Sequence, residues 1–91
     1  MRYAVCYDVI DDKRRLRIAR ILTDYGQRVQ YSVFEAEMTK GTFDRMTERL
    51  AQNTDKKRDS IIIYRLCATC TEAAMVIGVD NRLRPQDAIV V

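Results

Sequence analysis

Residues 2–10 carry apolar side chains on both alternating sets. Tyr3, Val5, Tyr7 and Val9 fall on one face, and Ala4, Cys6, Asp8 and Ile10 on the other. Apolar residues on both faces predict a central strand, and Asp8 interrupts the pattern near its C-terminal end. The period then changes. Ile18, Ile21, Leu22 and Tyr25 share one helical face, with Lys13, Arg17, Arg20 and Asp24 opposite. Arg14 and Arg15 fall on the two margins of the apolar stripe. The spacing predicts a helix over 12–25, capped by Asp11 or Asp12 and ended by Gly26. Residues 27–38 are extended, with Val29, Tyr31 and Val33 alternating with Gln30 and Ser32; one bent strand and a tight strand pair both fit. A second helix over 40–53 turns Phe43, Met46 and Leu50 inward. Asn53 to Arg58 is a polar turn, and 59–67 is a buried strand through Ile61, Ile62, Ile63, Tyr64 and Leu66. A weaker strand is expected over Ala73 to Ile77, before Gly78. Residues 80–87 read as a loop, and Ala88-Ile89-Val90-Val91 as a short apolar tail.

This order predicts an α+β sandwich. Two helices on one sheet face leave the other face open, and an open face bearing Tyr and Val calls for a partner. Chain ends fray unless docked, so the apolar tail is expected to add a strand to a sheet edge, that of a second subunit included. The chain has 91 residues and reads as a single domain over 1–91. A domain this small buries a modest core, and pairing with a second copy would stabilise it.

Hydrophobic residues at 47% and charged residues at 32% describe an ordinary globular chain. No apolar run approaches the roughly 18 residues of a membrane span. The start, Met1 to Asp8, is too short and acidic for a signal peptide, so a cytoplasmic location is expected. Net charge is +3, from 16 basic and 13 acidic residues. That balance is mild, but Lys13, Arg14, Arg15, Arg17 and Arg20 crowd one short window, and the planar guanidinium suits phosphate. Helix N-termini favour negative charge, so Lys13, Arg14 and Arg15 in a first turn are locally unfavourable unless an anion arrives. The plainer reading is a solvated charged face.

There is no histidine, so acid–base chemistry falls to carboxylates, tyrosine, lysine or metal-bound water. Asp8 is the most informative position. A carboxylate late in an apolar central strand is costly unless paired or metal-bound. A helix cap or an ion pair with Arg14 would explain it structurally. In a symmetric dimer, two Asp8 side chains could instead share one divalent cation, which would polarise a phosphate and acidify a bound water. Cys67 and Cys70 form a C-x-x-C. A zinc site needs four ligands that this chain cannot supply conventionally, and a redox pair is the less favoured alternative to two plain thiols at a strand end.

Three stretches carry a resemblance: Tyr7-Asp8-Val9-Ile10-Asp11-Asp12-Lys13-Arg14-Arg15, Tyr25 through Glu35, and Asp59 through Cys67 together with Cys70, Gly78 and Ile89-Val90-Val91. In order and spacing they resemble the small CRISPR-associated endonuclease family of the spacer-acquisition machinery, over nearly the whole chain. The resemblance implies a ferredoxin-like βαββαβ fold, with two strands from 27–38 and an extra C-terminal strand packing on the partner of a homodimer. It places a Mg²⁺ or Mn²⁺ ligand at Asp8. Arg15, Arg17 and Phe34 join Asp8 as catalytic candidates, and Lys13, Arg14, Arg15, Arg17 and Arg28 are nucleic-acid-binding candidates. It implies metal-dependent cleavage of single-stranded RNA or double-stranded DNA in antiviral defence. It also implies assembly with the CRISPR integrase around prespacer DNA, a scaffold role that in some members needs no cleavage.

Overall fold

The structure is a computed structural model that describes residues 1–82. Strand β1 (Arg2–Asp8) leads to helix α1 (Asp12–Thr23). Strands β2 (Gln27–Gln30) and β3 (Val33–Glu37) follow, then α2 (Lys40–Gln52), β4 (Ser60–Leu66) and a short helix α3 (Ala68–Ala73). The four strands form one antiparallel sheet in the order β2-β3-β1-β4. β1 is central, as its two apolar faces predict. The extended segment is the strand pair rather than one bent strand. It turns at Tyr31 and Ser32, and the register shifts between Arg28 and Gln30.

Both long helices cover the face that carries Tyr3, Val5 and Tyr7. Ile18, Ala19, Ile21 and Leu22 from α1 and Met46 and Leu50 from α2 complete the core with Phe34, Ala36 and Met38. Ile18, Leu22, Met46 and Val5 are the largest fully buried side chains, each contributing about 1.5–3 kcal/mol by leaving water. Phe43 is half-buried and stacks on Tyr3 with ring centroids 4.5 Å apart. Asp11 caps α1 by accepting from the Arg14 amide at 2.9 Å, and Thr39 caps α2.

Gly26 does not end α1, whose C-cap is Asp24. Its need for glycine comes from space: a Cβ there would stand 2.2 Å from the Glu35 carbonyl oxygen and 2.8 Å from the Ala36 Cβ. The expected strand over Ala73 to Ile77 does not form. Residues 68–73 are helical, and residues 74–82 run without regular structure past Val29, Val33 and Glu35 on the open sheet face. Gln27 donates to the Asn81 carbonyl there at 3.5 Å. The expected tail strand and most of the 80–87 loop lie outside the described residues.

Candidate functional site

The end of β1 brings the sequence candidates to one end of the sheet. Register pairs Asp8 with Ser60 at the start of β4, so the loop before β4 sits beside the strand end. Asp8 is exposed, and its side chain makes no hydrogen bond or ion pair among the described residues. Neither structural explanation for it holds. Asp11 takes the helix cap, and Arg14 is engaged elsewhere.

Arg14 is the clearest departure from expectation. Its guanidinium is bidentate on Asp59, with Nε to Oδ2 at 2.7 Å and Nη2 to Oδ1 at 2.9 Å. The Asp59 side chain is 0% exposed and also accepts from the Asp55 amide at 2.9 Å. The Arg14 hydrogen bond is the largest cause holding the Asp59 carboxyl below its ordinary range. Burial opposes it, and the Asp55 amide and the Arg14 charge add to it. The same pairing raises Arg14. Arg14 is therefore a clamp between α1 and the loop before β4: its Nε and one Nη2 hydrogen are committed to Asp59, and any phosphate contact would fall to the remaining donors of the fork.

Arg15 is half-buried and braces the turn behind Asp8. Its Nη1 donates to the Val9 and Ile10 carbonyls at 3.1 and 3.2 Å, and its Nη2 pairs with Asp12, which is the main reason its pKa is raised. The crowding of Arg14 and Arg15 is thus relieved within the chain, by Asp59, Asp12 and two carbonyls. A phosphate is not required to relieve it.

Phe34 is 2% exposed. Its ring lies 6.2 Å from that of Tyr7, and the Arg28 guanidinium sits 5.2 Å from its centroid. It cannot stack on a base from inside the core, so direct substrate contact by Phe34 is corrected to support of the strand end. Arg28 also donates to the Tyr31 carbonyl at 3.1 Å, and the Tyr7 hydroxyl reaches that carbonyl at 3.4 Å. Arg28 stays exposed at the hairpin turn. Lys13 and Arg17 are exposed, and their side chains pair with no described residue.

The sequence reading passed over Lys56, Lys57 and Arg58 as a polar turn. All three are exposed, and the Arg14–Asp59 clamp and the Asp8–Ser60 register carry them to the Asp8 end. The missed signal was a basic triplet directly before a strand that pairs with the one bearing Asp8.

Among the described residues, no three His, Cys, Asp or Glu side chains converge as a metal site. Asp11 and Asp12 are taken by the cap and Arg15, so among the described residues this end of the sheet offers Asp8. Mg²⁺ binds through one or two carboxylates and keeps water and substrate oxygens as its other ligands. The donor set fits Mg²⁺ or Mn²⁺ when substrate or a second chain supplies the rest.

Sheet order, helix placement and the lone carboxylate at the end of the central strand define a small ferredoxin-like α+β domain. The profile of the family described as CRISPR associated protein Cas2 matches residues 1–74. The chain is 51% identical over 77 residues to the CRISPR-associated endoribonuclease Cas2 4 of Rhodospirillum rubrum, covering 85% of this chain and 62% of that protein's length. It is 42% identical to the CRISPR-associated endoribonuclease Cas2 1 of Chloroflexus aurantiacus, over 86% of this chain and 85% of that one. Streptococcus pyogenes Cas2 superposes with a TM-score of 0.77 at 38% identity, covering 86% of this chain and 100% of that one. The chain belongs to the CRISPR-associated Cas2 family. A chain of a partial Cas6-RT-Cas1 and Cas2 complex also matches, with a TM-score of 0.75 at 30% identity over 92% of this chain and 93% of that one.

Proposed function

We propose that this chain works as a homodimeric, divalent-metal-dependent endonuclease that hydrolyses nucleic-acid phosphodiesters during spacer acquisition. The carrying observation is Asp8: an exposed, unpaired carboxylate ends the central strand, beside exposed Lys56, Lys57 and Arg58. Asp8 would hold Mg²⁺ or Mn²⁺, and the bound ion would supply charge stabilisation at the reacting phosphate. Lys13, Arg17, Arg28 and the 56–58 triplet would hold the flanking phosphates. Arg15 orients the Val9–Ile10 carbonyls behind Asp8 and acts as a positioning residue. The similar Rhodospirillum rubrum and Chloroflexus aurantiacus proteins are named endoribonucleases, which supports RNA as the first substrate to test.

Dimerisation draws support from the open sheet face. Ile62 is 48% exposed and Tyr64 54% exposed on β4, beside half-buried Ala4 and Cys6. Glu35 Oε1 is buried there without a hydrogen-bond partner among the described residues. A second copy on this face would bury apolar surface and supply the second Asp8.

The decisive experiment compares the native chain with Asp8→Asn on labelled single-stranded RNA and duplex DNA, with Mg²⁺, with Mn²⁺ and with chelator, while checking the dimer by size-exclusion chromatography. Metal-dependent cutting lost in the variant is expected. Equal cutting by both proteins would overturn the mechanism.

A second reading is a non-catalytic platform for DNA and the integrase. It is favoured by the lack of a cluster of three or more metal-ligating side chains among the described residues and by the likeness to a chain found in a Cas1-containing complex. Its signature is salt-dependent duplex binding and integrase association that both survive Asp8→Asn.

A further inference from the structure

Cys67 and Cys70 take no part in the site above. Cys67 follows β4 and caps α3, its sulfur accepting from the Cys70 amide at 3.2 Å. The two sulfurs are 3.0 Å apart, and both residues are exposed free thiols. A disulfide needs sulfurs about 2.05 Å apart, so the pair is within about 1 Å of bonding distance. Cys6, by contrast, is half-buried within β1, and no third thiol pairs with this couple. Two further observations bear on the pair. The helix that Cys67 caps begins the path of residues 74–82 back across the open sheet face. The C-x-x-C is also the one reactive motif that the nuclease reading leaves unused.

We infer that Cys67 and Cys70 are a reversible oxidation site, a dithiol that exchanges with low-molecular-weight disulfides and, once bridged, clips the first turn of α3 to the end of β4. The thiolate of Cys67 attacks one sulfur of the small disulfide. A Cys67–sulfur bond forms, the small disulfide's S–S bond breaks, and one small thiolate leaves and takes up the proton that Cys67 gave to water. Cys70, deprotonated in turn, attacks the Cys67 sulfur. The Cys67–Cys70 bond forms and the second small thiol departs with the Cys70 proton. Two protein thiols are oxidised and one small disulfide is reduced to two thiols.

The direction of attack follows from the surroundings. The Cys70 thiol hydrogen bond and then the Cys70 amide pull the Cys67 thiol below its ordinary range, while the same contact pushes Cys70 up. The more acidic, exposed member supplies the attacking thiolate.

The test equilibrates the full chain with mixtures of oxidised and reduced glutathione, then alkylates and measures intact and peptide masses. The native chain should lose two hydrogen masses, with the bridge mapped between Cys67 and Cys70 and reversed by reduced glutathione. Cys70→Ser should instead trap one glutathione on Cys67, faster than any adduct forms on Cys6. Adducts without an internal bridge, bridges between chains, a native chain that stays reduced in excess oxidised glutathione, or trapping at Cys67 no faster than at Cys6 would each overturn the assignment.

Discussion

At the residue scale, two carboxylates mark the extremes of what a side chain can do here. Asp8 is exposed and unpaired, so Asp8→Asn should change stability by no more than about 0.5 kcal/mol while removing metal-dependent cleavage. Denaturant titration beside the cleavage assay checks both halves. Asp59 is enclosed and bidentate with Arg14, and Asp59→Asn should lower the melting temperature at neutral pH by leaving the guanidinium without its partner. The pH dependence has a definite sign. The folded carboxyl titrates below its unfolded value of about 3.9, because the Arg14 hydrogen bond favours the ionised form. Its contribution is complete above that unfolded value and disappears as pH falls through the lowered folded one. The melting-temperature gap between native chain and Asp59→Asn should therefore hold from neutral pH down to about pH 5 and close below it. A gap that stays constant down to about pH 2 would contradict the assignment.

At the element scale, the helices are held by local signals and by a few close approaches. Thr39 caps α2, and Thr39→Ala should cost about 1 kcal/mol. Leu22 is buried at the centre of the α1 stripe, and Leu22→Ala should cost about 2–5 kcal/mol. Gly26 is the sharper case. A methyl group there meets backbone of β3 at 2.2 Å, and backbone in a paired strand cannot swing aside as a flexible side chain can. Gly26→Ala should fall at the upper end of the about 1–3 kcal/mol typical of overpacking, read as a drop in the urea midpoint. A glycine required for φ alone would show no such contact, and among the described residues only Gly78 has positive φ.

At the scale of the whole molecule, charge and the open sheet face set the expected behaviour. Lys13→Ala and Arg17→Ala should each reduce the salt slope of nucleic-acid binding by about 1 and weaken binding to all sequences alike, measured by anisotropy at several salt concentrations. Arg14→Ala should also lower stability, because it leaves the enclosed Asp59 carboxylate without its partner. Replacing exposed Ile62 or Tyr64 by Glu should shift sedimentation toward monomer if the open face is the dimer surface. No helix among the described residues is long and apolar enough to cross a membrane.

The sequence alone determined β1, α1, α2 and β4, because strand and helix periods are written in neighbouring residues, while the short helix α3 stands where no helix was expected and the strand expected over Ala73 to Ile77 does not form. β1 as central strand, the α1 face of Ile18, Ile21 and Leu22, the α2 face of Met46 and Leu50, and Asp8 as the odd carboxylate were all legible on that basis. The splitting of residues 27–38 was open in the periodicity and followed only from the family resemblance. What the tertiary structure decided was occupancy. Arg14 went to an aspartate 45 positions away, Arg15 to carbonyls of the turn, Phe34 to the core and Lys56–Arg58 to the Asp8 end. Which charge meets which depends on the strands and loops that pack side by side, and such long-range pairing leaves no periodic trace along the chain.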